Sequence, residues 1–208
     1  PYGKRTSIYL LDGTFVHLNS GTRLCYTSYF NHLSEVYLDG EALFITVREQ
    51  VFPLYIHTKD LFISMLSSSL YIQSYSNLPT SQIAVLDGHI ELTTSKCKVN
   101  LTTNQVLKNA LEFFNMTDIN RQQYISWTKD TLDFTDTTLA DIFDRLCFYY
   151  GFELELEESI RDISFTGKLR LNRSFNKLLD VISDLNDLDY IERDGTYYIY
   201  EKRSYLVS

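Results

Sequence analysis

The stretch "SIYLLDGTFVHLNS" (residues 7–20) consists of two alternating apolar–polar runs that meet at Asp12-Gly13. In a two-residue loop Asp tolerates positive φ and Gly has no side chain to clash, so Asp-Gly between alternating runs predicts a β-hairpin. The tripeptide Leu-Asp-Gly returns in "EVYLDGEALFITV" (residues 35–47) and in "IAVLDGHIEL" (residues 83–92). Three copies admit three readings: a repeat, a set of acidic ligands, or turns. The copies lie 27 and 48 residues apart, too unequal for a uniform repeat. Calcium needs six or more oxygens gathered in one place, and each copy brings a single Asp outside any D-x-D-x-D-G loop. Turns remain. Asp12-Gly13 and Asp87-Gly88 are predicted hairpin turns, while Gly40, followed at once by Glu41, is predicted as a turn or a bulge.

Working outward, residues 6 to about 100 keep period 2. Short runs such as "RLCYTSYF", "FPLYIHT", "LFISML", "LYIQSY" and "KCKVNL" are bounded by Gly, Pro, Asn, Asp or Ser. Many short strands with frequent turn signals predict an all-β N-terminal domain over residues 1–103, a sandwich, barrel or solenoid. Residues 104–126 hold neither period and are the expected linker, with a helical turn expected around Val106 to Phe113. From Trp127 the pattern changes. "TTLADIFDRLCFYYG" sets Leu139, Ile142, Phe143, Leu146 and Tyr150 at helical spacing, with Thr138 and Asp141 as a capping box and Gly151 as the stop. "RSFNKLLDVISDLND" sets Phe175, Leu178, Leu179, Ile182 and Leu185 on one face, with Asn172 as cap. "LDYIERDGTYYIYE" reads as a hairpin turning at Asp194-Gly195. Residues 127–203 therefore predict a small α+β domain of order β-α-β-β-α-β-β.

Composition bounds the function. Sixteen Tyr and 13 Phe favour strands. The net charge of −8, read as spread along the chain without long acidic runs, excludes a nucleic-acid surface, which concentrates Lys and Arg. Cys25, Cys97 and Cys147 make no metal pattern. Buried free thiols are expected, with a Cys25–Cys97 bridge as the alternative. The uncharged run from Leu61 to Leu86 carries seven serines and Pro79, which rules it out as a membrane helix. The chain starts at Pro1 and reads as a soluble fragment of something longer.

Little in the sequence suggests catalysis. His17, His32, His57 and His89 fall in separate runs without metal spacing, and no nucleophile elbow, phosphate loop or dinucleotide fingerprint occurs. "SSS" at Ser67 to Ser69 reads as a polar strand end. Glu153, Glu155, Glu157 and Glu158 read as the solvated side of an alternating strand. The sequons at Asn100, Asn115 and Asn172 are taken as chance. No enzyme activity, metal or cofactor is expected. Binding is the better prospect: "TYYIYE" puts Tyr197 and Ile199 on one face and Tyr198 and Tyr200 on the other, so the second pair is a candidate protein-docking surface.

Taken together, "SIYLLDGTFVHLNSGTRLCYTSYF", "EVYLDGEALFITV" with Gly40, Glu41, Ala42 and Phe44, "FPLYIHT" and "IAVLDGHIEL" resemble FecR-type periplasmic domains. The segments "WTKDTLDFTDTTLADIFDRLCFYYGFELEL" and "ISFTGKLRLNRSFNKLLDVI" are similar to the C-terminal module of Bacteroidetes members, which looks like the small secretin and TonB-receptor N-terminal (STN) fold. The pattern departs at Ser67 and Leu70, which stand for Gly and Phe, and at Asn104, which stands for Gly where Asn can also turn left-handed.

The resemblance implies the periplasmic region of a single-pass inner-membrane anti-sigma regulator. Its expected partner is the signalling domain of a TonB-dependent outer-membrane transporter. An extracytoplasmic-function sigma factor would be reached only through a cytoplasmic domain outside this chain. The alternatives are a glycan- or surface-protein-binding β module and a secretin or receptor plug-type domain. A regulator is expected to carry an apolar span of ~20 residues before Pro1.

Overall fold

The computed structural model describes residues 2–26, 34–46, 51–78, 80–94, 98–108, 112–115 and 119–202, and those at 112–115 as backbone. The chain divides into two compact units, one spanning Gly3–Ile125 and one from Ser126 onward. Among the described residues no helix is long and apolar enough to cross a membrane.

The first unit is built from β1 (Thr6–Tyr9), β2 (Phe15–Leu18), β3 (Arg23–Tyr26), β4 (Ser34–Ile45), β5 (Leu54–His57), β6 (Phe62–Ser74), β7 (Gln82–Thr93), β8 (Lys98–Thr102), β9 (Gln105–Lys108), β10 (Glu112–Asn115) and a short helix α1 (Arg121–Ile125). The strands join in the order β1-β2-β4-β5-β6-β7-β9-β10, with β3 on β4 and β8 on β7. An extra pairing of β4 with β6 closes the path β4-β5-β6 around one apolar core that includes Val16, Phe44, Leu54, Ile72, Val85 and Ile90.

Three long strands hold this arrangement, and each changes partners along its length. β4 pairs with β3 and β5 up to Asp39, then with β2 and β6 from Gly40. β6 pairs with β5 over Phe62–Met65 and with β4 over Ser69–Ser74. β7 pairs with β9 over Gln82–Ala84 and with β8 from His89.

The β6–β7 ladder slips between Met65 and Ser68, opposite Gly88 to Ile90, and again between Ser69 and Leu70, opposite Val85 to Asp87. The slip has a purpose in packing. Inward residues are Ile63 and Met65 before it and Leu70 and Ile72 after it; on β7 they are Ile83 and Val85, then Ile90 and Leu92. The parity changes in both strands, because added residues re-phase the two-residue alternation so that apolar side chains stay inside.

Two predicted turns are therefore corrected. Asp87-Gly88 lies within β7 at the bulge, and Gly40 lies within β4. Asp-Gly suits a bulge for the reason that it suits a turn: Gly88 has φ +84°. Its backbone is tied to Thr103, whose Oγ1 accepts from Gly88 N at 2.9 Å and whose N–H donates to Gly88 O at 3.0 Å. The serines at 67–69 are mid-strand rather than a strand end; Ser68 Oγ donates to His89 O at 2.7 Å. Asp12-Gly13 does occupy a turn, closed by Gly13 N to Leu10 O at 3.0 Å and by Thr14 N to Asp12 Oδ1 at 2.8 Å.

The stretch 104–126 is not a bare linker. It carries β9 and β10 as an antiparallel pair, with no helical turn at Val106, and then α1. Asn104 takes φ +69° and donates to Val85 O at 2.8 Å, so the left-handed position is filled.

The second unit contains a 3-10 turn (Ser126–Lys129), β11 (Thr131–Thr138), α2 (Leu139–Tyr150), β12 (Glu153–Leu156), β13 (Ser164–Arg170), α3 (Phe175–Asn186), β14 (Leu188–Arg193) and β15 (Thr196–Glu201). The order is β-α-β-β-α-β-β. β11 pairs with β13, while β12, β15 and β14 form a three-stranded sheet with β15 central.

The start of α2 follows from Thr138, whose Oγ1 accepts from Asp141 N at 3.2 Å; Gly151 ends it at φ +77°. α2 buries Leu139, Ile142, Phe143, Leu146 and Tyr149, with Tyr150 half-buried. Its hydroxyl reaches Leu171 O at 2.9 Å and Arg173 O at 2.8 Å. α3 is preceded by Ser174 rather than Asn172, and Leu185 points outward at 66% exposure because Ser183 takes the inward position at the end of the helix.

Gly88 and Gly13 have nearly the same φ, +84° and +87°, but different space. A Cβ at Gly88 would meet Ser67 O at 2.3 Å, and one at Gly13 meets nothing within 4 Å. Gly13→Ala should cost about 1 kcal/mol and Gly88→Ala roughly 3 kcal/mol or more, read from the denaturant midpoint of the β unit. Equal losses would show that the bulge relaxes.

Candidate docking face

The residues that carry the sequence resemblance in the first unit meet at one buried polar node. Glu41, 2% exposed, accepts from Asn19 Nδ2 at 2.6 Å and from Tyr71 OH at 2.9 Å. Asn19 Oδ1 accepts from Ser20 N at 2.9 Å, and Tyr75 OH donates to Ser20 O at 2.9 Å. Thr22 Oγ1 accepts from Glu41 N at 3.0 Å and donates to Glu41 O at 3.1 Å. A Cβ at Gly40 would lie 2.5 Å from that Thr22 oxygen, so only Gly lets the loop pass. The Tyr71 ring is met by Tyr124 of α1 at 5.1 Å. "HLNSGT" and "GEA" are thus fastenings between β2, β4 and β6. A buried carboxylate satisfied by aimed donors fixes register and leaves nothing for a partner to touch.

The outer side of the same unit carries an aromatic row: Tyr37, His57 and Phe62 are successive cross-strand partners on β4, β5 and β6. Tyr37 and His57 stack at 4.5 Å with planes 13° apart, and Tyr55 stacks on Phe62 at 5.4 Å. Rings that stack on one another across neighbouring strands each give up a face to the contact. Sugar rings pack on aromatic faces, so this row serves cross-strand cohesion better than glycan stacking.

His17, His57 and His89 lie on three separate strands, and among the described residues no group of three or more His, Cys, Asp or Glu is placed to hold a metal ion. His32 and Cys97 lie outside the described residues, so the Cys25–Cys97 pairing is not addressed. Cys25 is exposed on β3, contrary to expectation, and Cys147 is half-buried on α2.

In the second unit, Tyr198 and Tyr200 lie half-buried on the sheet side opposite the buried pair. Tyr197 and Ile199 face inward, and Tyr197 OH donates to Asn176 Oδ1 of α3 at 2.9 Å while its ring meets Phe175 at 4.9 Å. Asp194 and Gly195, at φ +53° and +86°, form a two-residue loop of the type in which both residues are left-handed. That loop sets Arg193 opposite Thr196, and hence Ile191 opposite Tyr198 and Asp189 opposite Tyr200. On the other side, parallel pairing sets Glu155 beside Tyr198 and Glu153 beside Thr196. The result is a small grid with Tyr198, Tyr200 and Ile191 at its centre and Glu153, Glu155, Asp189 and Arg193 exposed around them. Ile191 and Asp189 were readable from the hairpin loop; Glu155 needed the parallel pairing.

The charge is not spread evenly. Residues 126–208 hold ten Lys and Arg against 17 Asp and Glu, whereas residues 1–125 hold nine against ten. The local effect shows at Tyr190: the Asp180 carboxylate accepting its hydroxyl at 2.7 Å, helped by burial, pushes the phenol up to about 12.

This strand-and-helix unit matches a family model. Residues 131–200, from the start of β11 into β15, match the family model described as FecR, C-terminal. The whole chain is similar in fold to two crystal structures of a "putative anti-sigma factor" from Parabacteroides distasonis ATCC 8503, at 1.65 Å and 2.50 Å resolution. The first has 23% sequence identity and a TM-score of 0.82, covering 97% of this chain and 97% of that one. The second has 23% identity and a TM-score of 0.81, covering 97% and 96%. Among curated proteins, none matches the chain in sequence.

Two solution tests follow from these environments. Burial, helped by Asp144, pushes the Cys147 thiol up to about 12. With Cys97 replaced by Ser, a disulfide reagent at pH 8 should modify Cys25 promptly and Cys147 only on unfolding; fast modification of Cys147 in the folded protein would contradict its placement. His17, hydrogen-bonded through Nδ1 to Ser7 Oγ at 2.8 Å, has its pKa lowered by burial. The unfolded chain therefore binds the proton more readily. This stability is full above the unfolded value near 6.5 and is lost as pH falls below it, towards the lowered folded value. Unfolding midpoints at pH 7 and pH 5 should differ less in His17→Gln than in the unaltered chain.

Proposed function

We propose that this chain is the periplasmic sensor region of a transmembrane anti-sigma regulator. It receives its signal from the signalling domain of a TonB-dependent outer-membrane transporter and passes it to an extracytoplasmic-function sigma factor through a cytoplasmic domain on the same polypeptide. The observation that carries this reading is the FecR C-terminal match over residues 131–200, together with a fold similar across 97% of the chain to that of the Parabacteroides protein. The two-unit order supports it, because the resemblance read in the first unit and the family match in the second occur in the sequence expected of such regulators.

The role is conformational rather than chemical. A partner shifts the region only by as much as it prefers one of its states over another, so the contact must be selective for a state as well as tight. The Tyr198–Tyr200 face suits that contact. Tyr combines a broad ring with a hydroxyl and anchors protein interfaces at low entropic cost. It sits on the central strand of its sheet, where a bound partner bears on both neighbouring strands.

Binding of this chain to the signalling domain of the neighbouring transporter, measured by calorimetry, tests the reading. Tyr198→Ser with Tyr200→Ser should weaken the complex by about tenfold or more. Tyr9→Ser, at a ring 71% exposed on the other unit, should leave it unchanged. An unaltered affinity in the double variant, with its circular dichroism intact, would remove this face from the contact.

A further inference from the structure

We infer that the partner surface received by the Tyr198–Tyr200 face is basic, a patch of Lys or Arg set around an apolar or aromatic centre. The inference rests on the docking reading above and adds the chemistry of the partner.

Its first support is the grid itself. The three central side chains, Tyr198, Tyr200 and Ile191, are half-buried and adjoin one another across β15 and β14. Three exposed carboxylates adjoin them: Glu155 beside Tyr198, Asp189 opposite Tyr200, and Glu153 beside Thr196. Arg193 sits at the loop end of the same face, and Lys202, exposed just past β15, follows Tyr200 in the alternation at the other end. With strands ~4.8 Å apart and residues on one side ~7 Å apart, each carboxylate lies within about 10 Å of at least one of the two tyrosines. A Lys or Arg reaching any of them would also lie against a Tyr ring, where cation–π attraction adds to the ion pair.

The second support is independent of the face. Nearly all the chain's net negative charge belongs to residues 126–208, at 17 acidic against ten basic residues, while the first 125 residues are almost balanced. A cationic partner is therefore drawn towards this unit rather than the other, and an acidic one is repelled before contact. A neutral apolar partner would gain nothing from the three carboxylates, which it would have to desolvate or leave at the rim.

The experiment uses this 208-residue chain and the signalling domain of the neighbouring transporter. Raising NaCl from about 50 mM to about 500 mM, which shortens the screening length well below the size of the patch, should weaken the complex about tenfold. Glu155→Lys should weaken it by a similar factor and flatten the salt response. Asp184→Lys, the same charge change at an exposed position on α3, should alter affinity less than about twofold. Salt-independent binding that ignores Glu155→Lys, yet is still lost in the Tyr198/Tyr200 double variant, would overturn the basic partner and leave the docking face standing. If the unaltered chain forms no complex at any salt concentration, the docking reading falls and this inference falls with it.

Discussion

β6 and β7 must each keep one side apolar over 13 and 12 residues while changing partners partway. A regular strand cannot meet that demand here, because the two-residue alternation that suits one half has the wrong parity for the other. The added residues, one within Leu66–Ser67 of β6 and Leu86 of β7, solve the problem, and each strand depends on the other's slip to keep its ladder. Without that coincidence, Leu70 and Ile72 or Ile90 and Leu92 would turn to solvent, and the ring β4-β5-β6 would lose its lining. The Glu41 node does complementary work: it pins β4 to β2 and β6 on the side away from the core, so the wrap has both an apolar inside and a polar clasp.

The sequence announced the second unit more clearly than the first. Helices carry their boundaries locally: Thr138, Gly151 and the spacing from Leu139 to Leu146 suffice to place α2. A two-residue loop such as Asp194-Gly195 likewise fixes its own register. In the first unit, Asp-Gly marks any place that needs positive φ, and local sequence does not tell a reversal from a bulge. Asp12-Gly13 turns the chain, while Asp87-Gly88 lets β7 run on, because the strand opposite carries a compensating residue within Leu66–Ser67. The stretch after Asn104 looked featureless because β9 gains its stability by pairing with β7, a long-range contact invisible in a window of a few residues.

The candidate site was partly legible for the same reason. Alternation alone put Tyr198 and Tyr200 on the side away from Tyr197 and Ile199. The carboxylates next to them come from β12, more than 40 residues earlier, and become neighbours only through parallel pairing. Glu153 and Glu155, read along the chain, are the solvated side of an alternating strand. Read across the sheet, they are the border of an aromatic patch. The motif residues that are most conspicuous in the first unit, Asn19, Gly40 and Glu41, turn out to be interior.

β15 lies at the centre of its sheet and is the last of the described strands in chain order, with β12 on one side and β14 on the other. A growing polypeptide can complete α2 and α3 while still short of it, but β12 has no partner strand until residues 196–201 emerge. The sheet is thus assembled retroactively, with a parallel contact spanning a large sequence separation, the kind that slows folding. During that interval Phe175 and Asn176 of α3 lack the Tyr197 ring and hydroxyl that meet them in the finished sheet, so that part of the helix is covered only when β15 arrives.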